Sequence, residues 1–401
     1  MHRRRLLKLV VGLSAAALLA TTAAGTASSL RSSTVKAGSY NVGIVYSRTG
    51  LLAAYGAEYV EGLKLGFKYA TNGTNKVNGK TINLTLVDDG TDPTKAVSAA
   101  KDLIGQGYKI IGGTVSSGVA LQIAPLADQN HILYISGPAA SDAITGLNKY
   151  TFRSGRQTIQ DVLTADSFLT GANRKIVVFA QDSAFGQGNV AAVRTFLGGK
   201  GHTVSSVLVP LTATDFTPFA QQAKQANADL VFVAWAGTTA GAMWKALDQQ
   251  NVFTGTKVVT GLAEKATWST FDPAAATKIQ FLSHYTYTAP KNKVNDWLKA
   301  KLRARNQVPD LFTPDGFVQA QLLVHALEKG DYNVDKMITS LEGYKFLAPK
   351  GIQAIRPQDH AMLQPMFRVK LVKTANGRLS ATVLGTASTF ETAPPVVPMR
   401  G

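Results

Sequence analysis

Several segments of this 401-residue chain place residue types that do chemistry at suggestive spacings. Gly73-Thr74-Asn75-Lys76-Val77-Asn78-Gly79-Lys80-Thr81 has the glycines, lysine and threonine of a phosphate-binding loop. It holds one residue too many between the glycines, and a strand pattern follows where a phosphate cradle needs a helix N-terminus. Gly186-Gln187-Gly188-Asn189-Val190-Ala191 fits the glycine spacing of a dinucleotide fingerprint. Its first glycine lies well past the strand that ends at Ala180, and no Asp or Glu between Asn189 and Thr214 could hold a ribose. Ser116-Ser117-Gly118 lacks the flanking glycines of a nucleophile elbow. The six histidines are scattered, with no HExxH and no second ligand at helical spacing. There is no cysteine, which excludes disulfides, thiolate zinc sites, iron–sulfur clusters and a cysteine nucleophile. No catalytic residue, metal or cofactor is expected.

Charge bears on partners. Lys and Arg number 42 against 25 Asp and Glu, a net charge of +17. Lys299, Lys301, Arg303 and Arg305 cluster beside Trp297, but a spacing of two spreads them around a helix as a solvated basic face. The excess suits acidic ligands, cell-wall polymers or anionic lipid; no nucleic-acid partner is expected.

The elements that must position these residues begin after an address segment. Arg3, Arg4, Arg5 and Lys8 precede an apolar run from Leu9 to Ala20, and Gly25-Thr26-Ala27 fits a cleavage site. Residues 1–27 therefore read as a signal peptide, of either the general or the twin-arginine type. The expected location is outside the cytoplasm, in a periplasm or cell envelope. Without a cysteine the protein is not a lipoprotein. From Tyr40 onward, short apolar strands alternate with amphipathic helices: Tyr40–Tyr46, Ala53–Ala70, Thr81–Asp88, then a helix begun by Asp92-Pro93. The alternation restarts at Lys175–Ala180 and runs to Ile279–Ser283. Two such runs predict an α/β protein with two Rossmann-like lobes built on mostly parallel sheets. Helices follow from Asn292, then alternating strands at Met366–Val372 and Leu379–Leu384.

Six segments in order carry a resemblance: Ser47-Arg48-Thr49-Gly50, Ala54-Tyr55-Gly56, Asp88-Asp89-Gly90-Thr91-Asp92-Pro93, Gly113-Thr114-Val115-Ser116-Ser117-Gly118, Ile135-Ser136-Gly137-Pro138-Ala139-Ala140-Ser141 and Phe185-Gly186-Gln187-Gly188. Together they resemble the type I periplasmic binding proteins of ABC transporters, in the leucine/isoleucine/valine-binding group. The resemblance implies a three-crossover hinge, placed near Ser154–Thr158, Tyr285–Pro290 and Lys345–Pro349. It divides the chain into an N-terminal lobe (40–156 plus 287–347), a C-terminal lobe (157–286 plus 348–385) and a loose tail (386–401). It implies a monomer that captures a small amino acid or an aromatic or aliphatic carboxylate between the lobes and delivers it to an ABC permease. The same fold also serves as a sensor presenting its ligand state to a membrane receptor.

The resemblance also assigns roles. Ser117, with Ser116 beside it, holds the ligand carboxylate. Ala139 contributes a carbonyl and Ser141 a hydroxyl. Tyr55 packs on the ligand. Phe185 stands where the family has tyrosine and keeps the apolar face without the hydroxyl. Trp235 is a second aromatic wall. Glu264 meets the α-ammonium of an amino acid. Arg48 is not typical of amino-acid binders and has two readings: a clamp on a second carboxylate, or a solvent-facing side chain. Phe185 and Trp235 make the site more aromatic than an amino acid requires.

Overall fold

The structure, a computed structural model, describes residues 38–262 and 264–400. The expected signal peptide lies outside the described residues.

The first lobe is built on β1 (Ser39–Tyr46), α1 (Ala53–Ala70), β2 (Lys76–Val77), β3 (Lys80–Asp88), α2 (Pro93–Gly105), β4 (Ile110–Gly112), α3 (Ser117–Gln129), β5 (Leu133–Ser136) and β6 (Thr151–Arg153). The six strands form one sheet in the order β2-β3-β1-β4-β5-β6, parallel except for the β2–β3 pair. Strand β1 is apolar and buried along nearly its whole length, as a central parallel strand covered on both faces must be. Asp92 caps α2 by accepting from the amides of Thr94 and Lys95, with Pro93 at the first turn. Ser116 caps α3 by accepting from the Val119 amide.

The second lobe follows: α4 (Thr158–Asp166), β7 (Lys175–Gln181), α5 (Ala184–Phe196), β8 (Thr203–Val209), α6 (Thr217–Gln225), β9 (Leu230–Ala234), α7 (Ala240–Gln249), β10 (Lys257–Gly261), α8 (Lys265–Trp268), α9 (Pro273–Ala276) and β11 (Ile279–Ser283). The chain then returns to the first lobe through α10 (Lys293–Arg303), α11 (Thr313–Gly330) and α12 (Val334–Leu341). Helix α11 lies against α1 at close range: a Cβ on Gly62 would stand 1.8 Å from the carbonyl oxygen of Thr313, so only glycine fits there. Strands β12 (Lys345–Ala348), β13 (Gly351–Ile355) and β14 (Met362–Leu363) form a small antiparallel sheet, and β15 (Met366–Lys373) and β16 (Leu379–Ala387) complete the second lobe. Its seven strands run β16-β15-β11-β10-β9-β7-β8, the last two of the chain being antiparallel additions at one edge.

The first two links between the lobes run between Arg153 and Thr158 and between Ser283 and Lys293. The third differs. Residues 345–349 are not a bare hinge: β12 to β14 occupy 345–363, and the chain joins the second sheet only at Met366. Prolines 349, 357 and 365 cut this stretch into strands too short for an alternating pattern to register.

The tail also departs from expectation, because residues 388–400 are tied down rather than loose. Arg356 donates to the carbonyls of Pro394 and Pro395, and the Val397 amide donates to Asp359. Thr392 is buried and donates to the Gln364 carbonyl. The Arg400 amide reaches the Gly146 carbonyl at 2.9 Å. Ser/Thr/Pro composition lowers core-forming power, but here the backbone groups find side-chain partners.

Buried charges concentrate at the crossovers. Arg153 is 1% exposed and donates to the carbonyls of Ala139, Ser141, Gly155 and Arg156. Lys350 and Asp315 form a fully buried ion pair, with Gln364 also on the ammonium at 2.9 Å. His284 sits 3.4 Å from Asp315, its pKa pushed well down by burial and by the cations Arg156 and Lys350.

Candidate functional site

In parallel sheets, ligands sit beyond the carboxyl ends of the strands. Here the carboxyl ends of both sheets meet around a cavity of about 290 Å³. The first lobe supplies the loop after β1, the start of α1 and the N-terminus of α3. The second supplies the loops after β7, β9 and β10.

One wall is apolar and aromatic: Phe185, Trp235, Trp244, Leu262 and Phe312 all line it. Trp235 is fixed by stacking on Phe179 at 5.7 Å, by an edge contact to Phe216 at 5.3 Å and by its indole N–H on Thr239. Another wall is the start of α3, with Ser116, Ser117 and Gly118 on the cavity. The first amides of a helix have no intrahelical acceptor and carry partial positive charge, so this wall suits an anion. The Ser117 hydroxyl accepts from the Ser141 amide at 3.1 Å, which leaves its own proton to donate.

Arg156 also lines the cavity. It is buried, with Nε 3.2 Å from Asp161 and Nη1 3.3 Å from the Pro138 carbonyl. A guanidinium has five N–H donors, so its fork has capacity left for a carboxylate.

Opposite in character is Glu264. It is 7% exposed and lines the cavity. Oε1 accepts from the Thr267 hydroxyl, and among the described residues buried Oε2 has no hydrogen-bond partner. An orphaned buried acceptor is costly, so it marks where a donor belongs. Tyr55 lies beside it and accepts from the Gly237 amide at 3.1 Å, linking the two lobes directly. Burial, then Glu264, pushes the Tyr55 phenol far above its ordinary range, so it stays neutral. Tyr55 also packs on Phe312 at 4.4 Å. Behind these, Glu58 and Asp310 are raised by burial, Asp310 to about 6. Asp310 accepts from the Lys265 amide, a second contact between lobes.

Of the nine residues expected at the site, Tyr55, Ser116, Ser117, Phe185, Trp235 and Glu264 line the cavity. Ala139, Ser141 and Arg48 do not. Ala139 is fully buried and its carbonyl accepts from Arg153 at 2.8 Å, while Ala140 faces the cavity instead. Ser141 is turned to cap the short helical turn at 142–144 and takes the Ala143 amide. Arg48 is exposed and lies in a separate groove on the outside of α1. Arg156 is the member that sequence reasoning missed. Its segment was placed at the first crossover, and an arginine in the polar stretch Ser154-Gly155-Arg156-Gln157-Thr158 matches no ligand motif, so the sequence carried no signal for it.

Two α/β lobes joined by crossovers and enclosing a cavity between their strand ends define a bilobal ligand-binding protein. Residues 39–377 match the family model described as periplasmic binding protein, and the chain belongs to that family of ABC-transporter binding proteins. The Leu/Ile/Val-binding protein BraC3 of Rhizobium johnstonii is 26% identical over 298 residues, covering 72% of this chain and 78% of that protein. Among solved structures, an ABC-type branched-chain amino acid transporter from Rhodopseudomonas palustris is 31% identical, with a TM-score of 0.73 over 89% of this chain and 98% of its own. A solute binding protein of an ABC transporter from the same species, in complex with 3,4-dihydroxybenzoic acid, is 25% identical, with a TM-score of 0.77 over 88% of this chain and 98% of its own.

Proposed function

We propose that this protein, exported and acting as a monomer, captures a small carboxylate with a ring-sized apolar body and hands it to an ABC permease. An aromatic acid is the favoured ligand. The observation that carries this reading is one cavity pairing an aromatic wall with an anion-binding wall, the α3 N-terminus and Arg156. The carboxylate meets the amides of the α3 first turn, the Ser117 hydroxyl and the Arg156 fork. The ring lies among Phe185, Trp235 and Phe312. Glu264 Oε2 accepts from a donor on the ligand, such as a phenolic hydroxyl.

The branched-chain amino acids are the second reading, favoured by the same Glu264, which would serve an ammonium equally well. Against it, Ala139 and Ser141 do not join Glu264 on the cavity wall, so the carbonyl and the hydroxyl that the resemblance implies for such a ligand are not presented there. No helix among the described residues is long and apolar enough to cross a membrane.

The test is thermal unfolding of the ligand-stripped mature protein with benzoate, 3,4-dihydroxybenzoate, leucine and valine. A ligand at about 100 times its Kd adds about 2.7 kcal/mol to native stability, a shift of degrees. Stabilisation by the aromatic acids alone is the expected result. Stabilisation by leucine or valine alone transfers the assignment to amino acids, and none with any of the four overturns it.

A further inference from the structure

A second concavity, of about 420 Å³, lies on the outer flank of the first lobe and shares no lining residue with the ligand cavity. It is built on one stripe of α1: Ala53, Ala57, Glu61, Lys64 and Lys68 recur at three- and four-residue steps. At Ala53 and Ala57 the stripe thins to methyl groups, which makes the hollow. Tyr46, Val60 and Leu65 form an apolar floor. Arg48 closes one end and Arg305, just past α10, faces Glu61 across it at 2.8 Å.

The charges are unbalanced. Glu61 is the lone acid on the lining and is already paired with Arg305. Arg48, Lys64 and Lys68 form no ion pair among the described residues, and all three are exposed. Nearby cations on α10 are, by contrast, engaged: Lys299 on Asp296 and Lys301 over the Trp297 ring. Three unanswered cations around an apolar floor are complementary to a segment with carboxylates flanking an apolar side chain.

We infer that this groove is a docking site for an acidic peptide segment of a protein partner. A free phosphate would use the cations but leave the apolar floor wet. A flat anionic membrane would meet the exposed lysines but not enter the hollow to reach Val60 and Leu65. A peptide strand does both. The inference goes beyond the ligand reading and stands whatever the cavity binds.

The probe is a fluorescent six-residue peptide, Glu-Leu-Glu-Asp-Leu-Glu, capped at both ends, titrated with the full mature chain. Anisotropy should show binding that weakens at high salt. The double variant Lys64→Glu/Lys68→Glu should weaken it about tenfold, the size expected for reversing two exposed pairs. Replacing both leucines of the peptide by serine should weaken it as well. The double variant should keep the wild-type melting temperature and the wild-type response to 3,4-dihydroxybenzoate, so a failure of the cavity assignment would show separately. Absence of peptide binding, or equal binding by the double variant, overturns the inference. So does binding of the serine peptide as tightly as the leucine one, which would mean charge alone. Lysine-dependent binding to phosphatidylglycerol vesicles or to inorganic phosphate, without peptide binding, also overturns it and reassigns the groove to an anionic surface or a free anion.

Discussion

Replacing Gly237 by alanine should drive the two lobes apart without unfolding either. Gly237 follows β9 in the second lobe, has φ +86°, and donates its amide to Tyr55 of the first. A Cβ there would stand 2.6 Å from the carbonyl oxygen of Leu51 and 2.7 Å from its Cγ. Leu51 belongs to the first lobe. Two penalties therefore separate cleanly. The left-handed backbone costs alanine roughly 1–2 kcal/mol, and it is present whether the lobes meet or not, so it cancels from ligand affinity. The collision with Leu51 exists only when the lobes meet. Overpacking of this kind costs roughly 1–3 kcal/mol, and a middle value of about 2 kcal/mol corresponds to about 30-fold weaker binding. Calorimetric titration with whichever of 3,4-dihydroxybenzoate or leucine raises the melting temperature reads that factor. Small-angle scattering at a fixed, wild-type-saturating ligand concentration should show the variant more extended. Unchanged Kd with a lowered melting temperature would mean that the Leu51–Gly237 contact does not belong to the liganded state, and the reasoning would fail.

Glu264→Gln should weaken leucine more than tenfold and an unhydroxylated benzoate hardly at all, because only the first needs a charge partner; equal losses in parallel titrations would remove Glu264 from ligand reading. Lys350→Ala should cost about 3–5 kcal/mol of stability in denaturant unfolding, since it strands Asp315 as an uncompensated buried charge; a cost under about 1 kcal/mol would show that water reaches the site. Asp310, raised to about 6 by burial and by Glu264, sits with Glu58 on the first lobe, facing Glu264 and Lys265 on the second. A carboxyl raised above its unfolded value contributes stability at low pH that is lost as pH rises from about 4 through about 6. His284, held neutral by burial, works in the opposite sense as pH falls, so the comparison is between proteins: on going from pH 7.5 to pH 5, melting temperature and ligand affinity should change more favourably in the wild type than in Asp310→Asn; identical profiles would show that Asp310 is not the titrating group.

The alternation of strands and helices in the sequence placed both lobes because parallel strands buried on two faces leave a dense apolar signature, as in β1 and β9. Helix α1 was readable to the residue from its spacing. The serines that open α3 and the aromatics Phe185 and Trp235 were legible only through the resemblance, which assigned them to the site, and all four line the cavity. What failed depended on side-chain direction or on long-range partners. Ala139 and Ala140 differ by one position, and in an extended segment one position reverses the facing. Ser141 was claimed by a local cap. Arg48 takes the solvent-facing one of its two readings, and the place of Arg156 on the cavity is encoded by no local pattern, because its anchors are the Pro138 carbonyl and Asp161 on neighbouring segments of the fold. The small sheet from β12 to β14 was invisible because its strands are two to five residues long.

The pinned C-terminal segment changes the mechanics of the molecule. The described residues begin in the first lobe, and after the last strand of the second lobe they come back to it, with the Arg400 amide on the Gly146 carbonyl. Both ends of the described chain are therefore moored to one body, and the other body hangs between them as an insert with a fourth, noncovalent stay. Such a stay resists twisting and sideways shear while leaving a swing about the line of the crossovers. A purification handle appended after Gly401 would pull on that stay, so the placement of the handle becomes a variable in any measurement of how freely this protein opens.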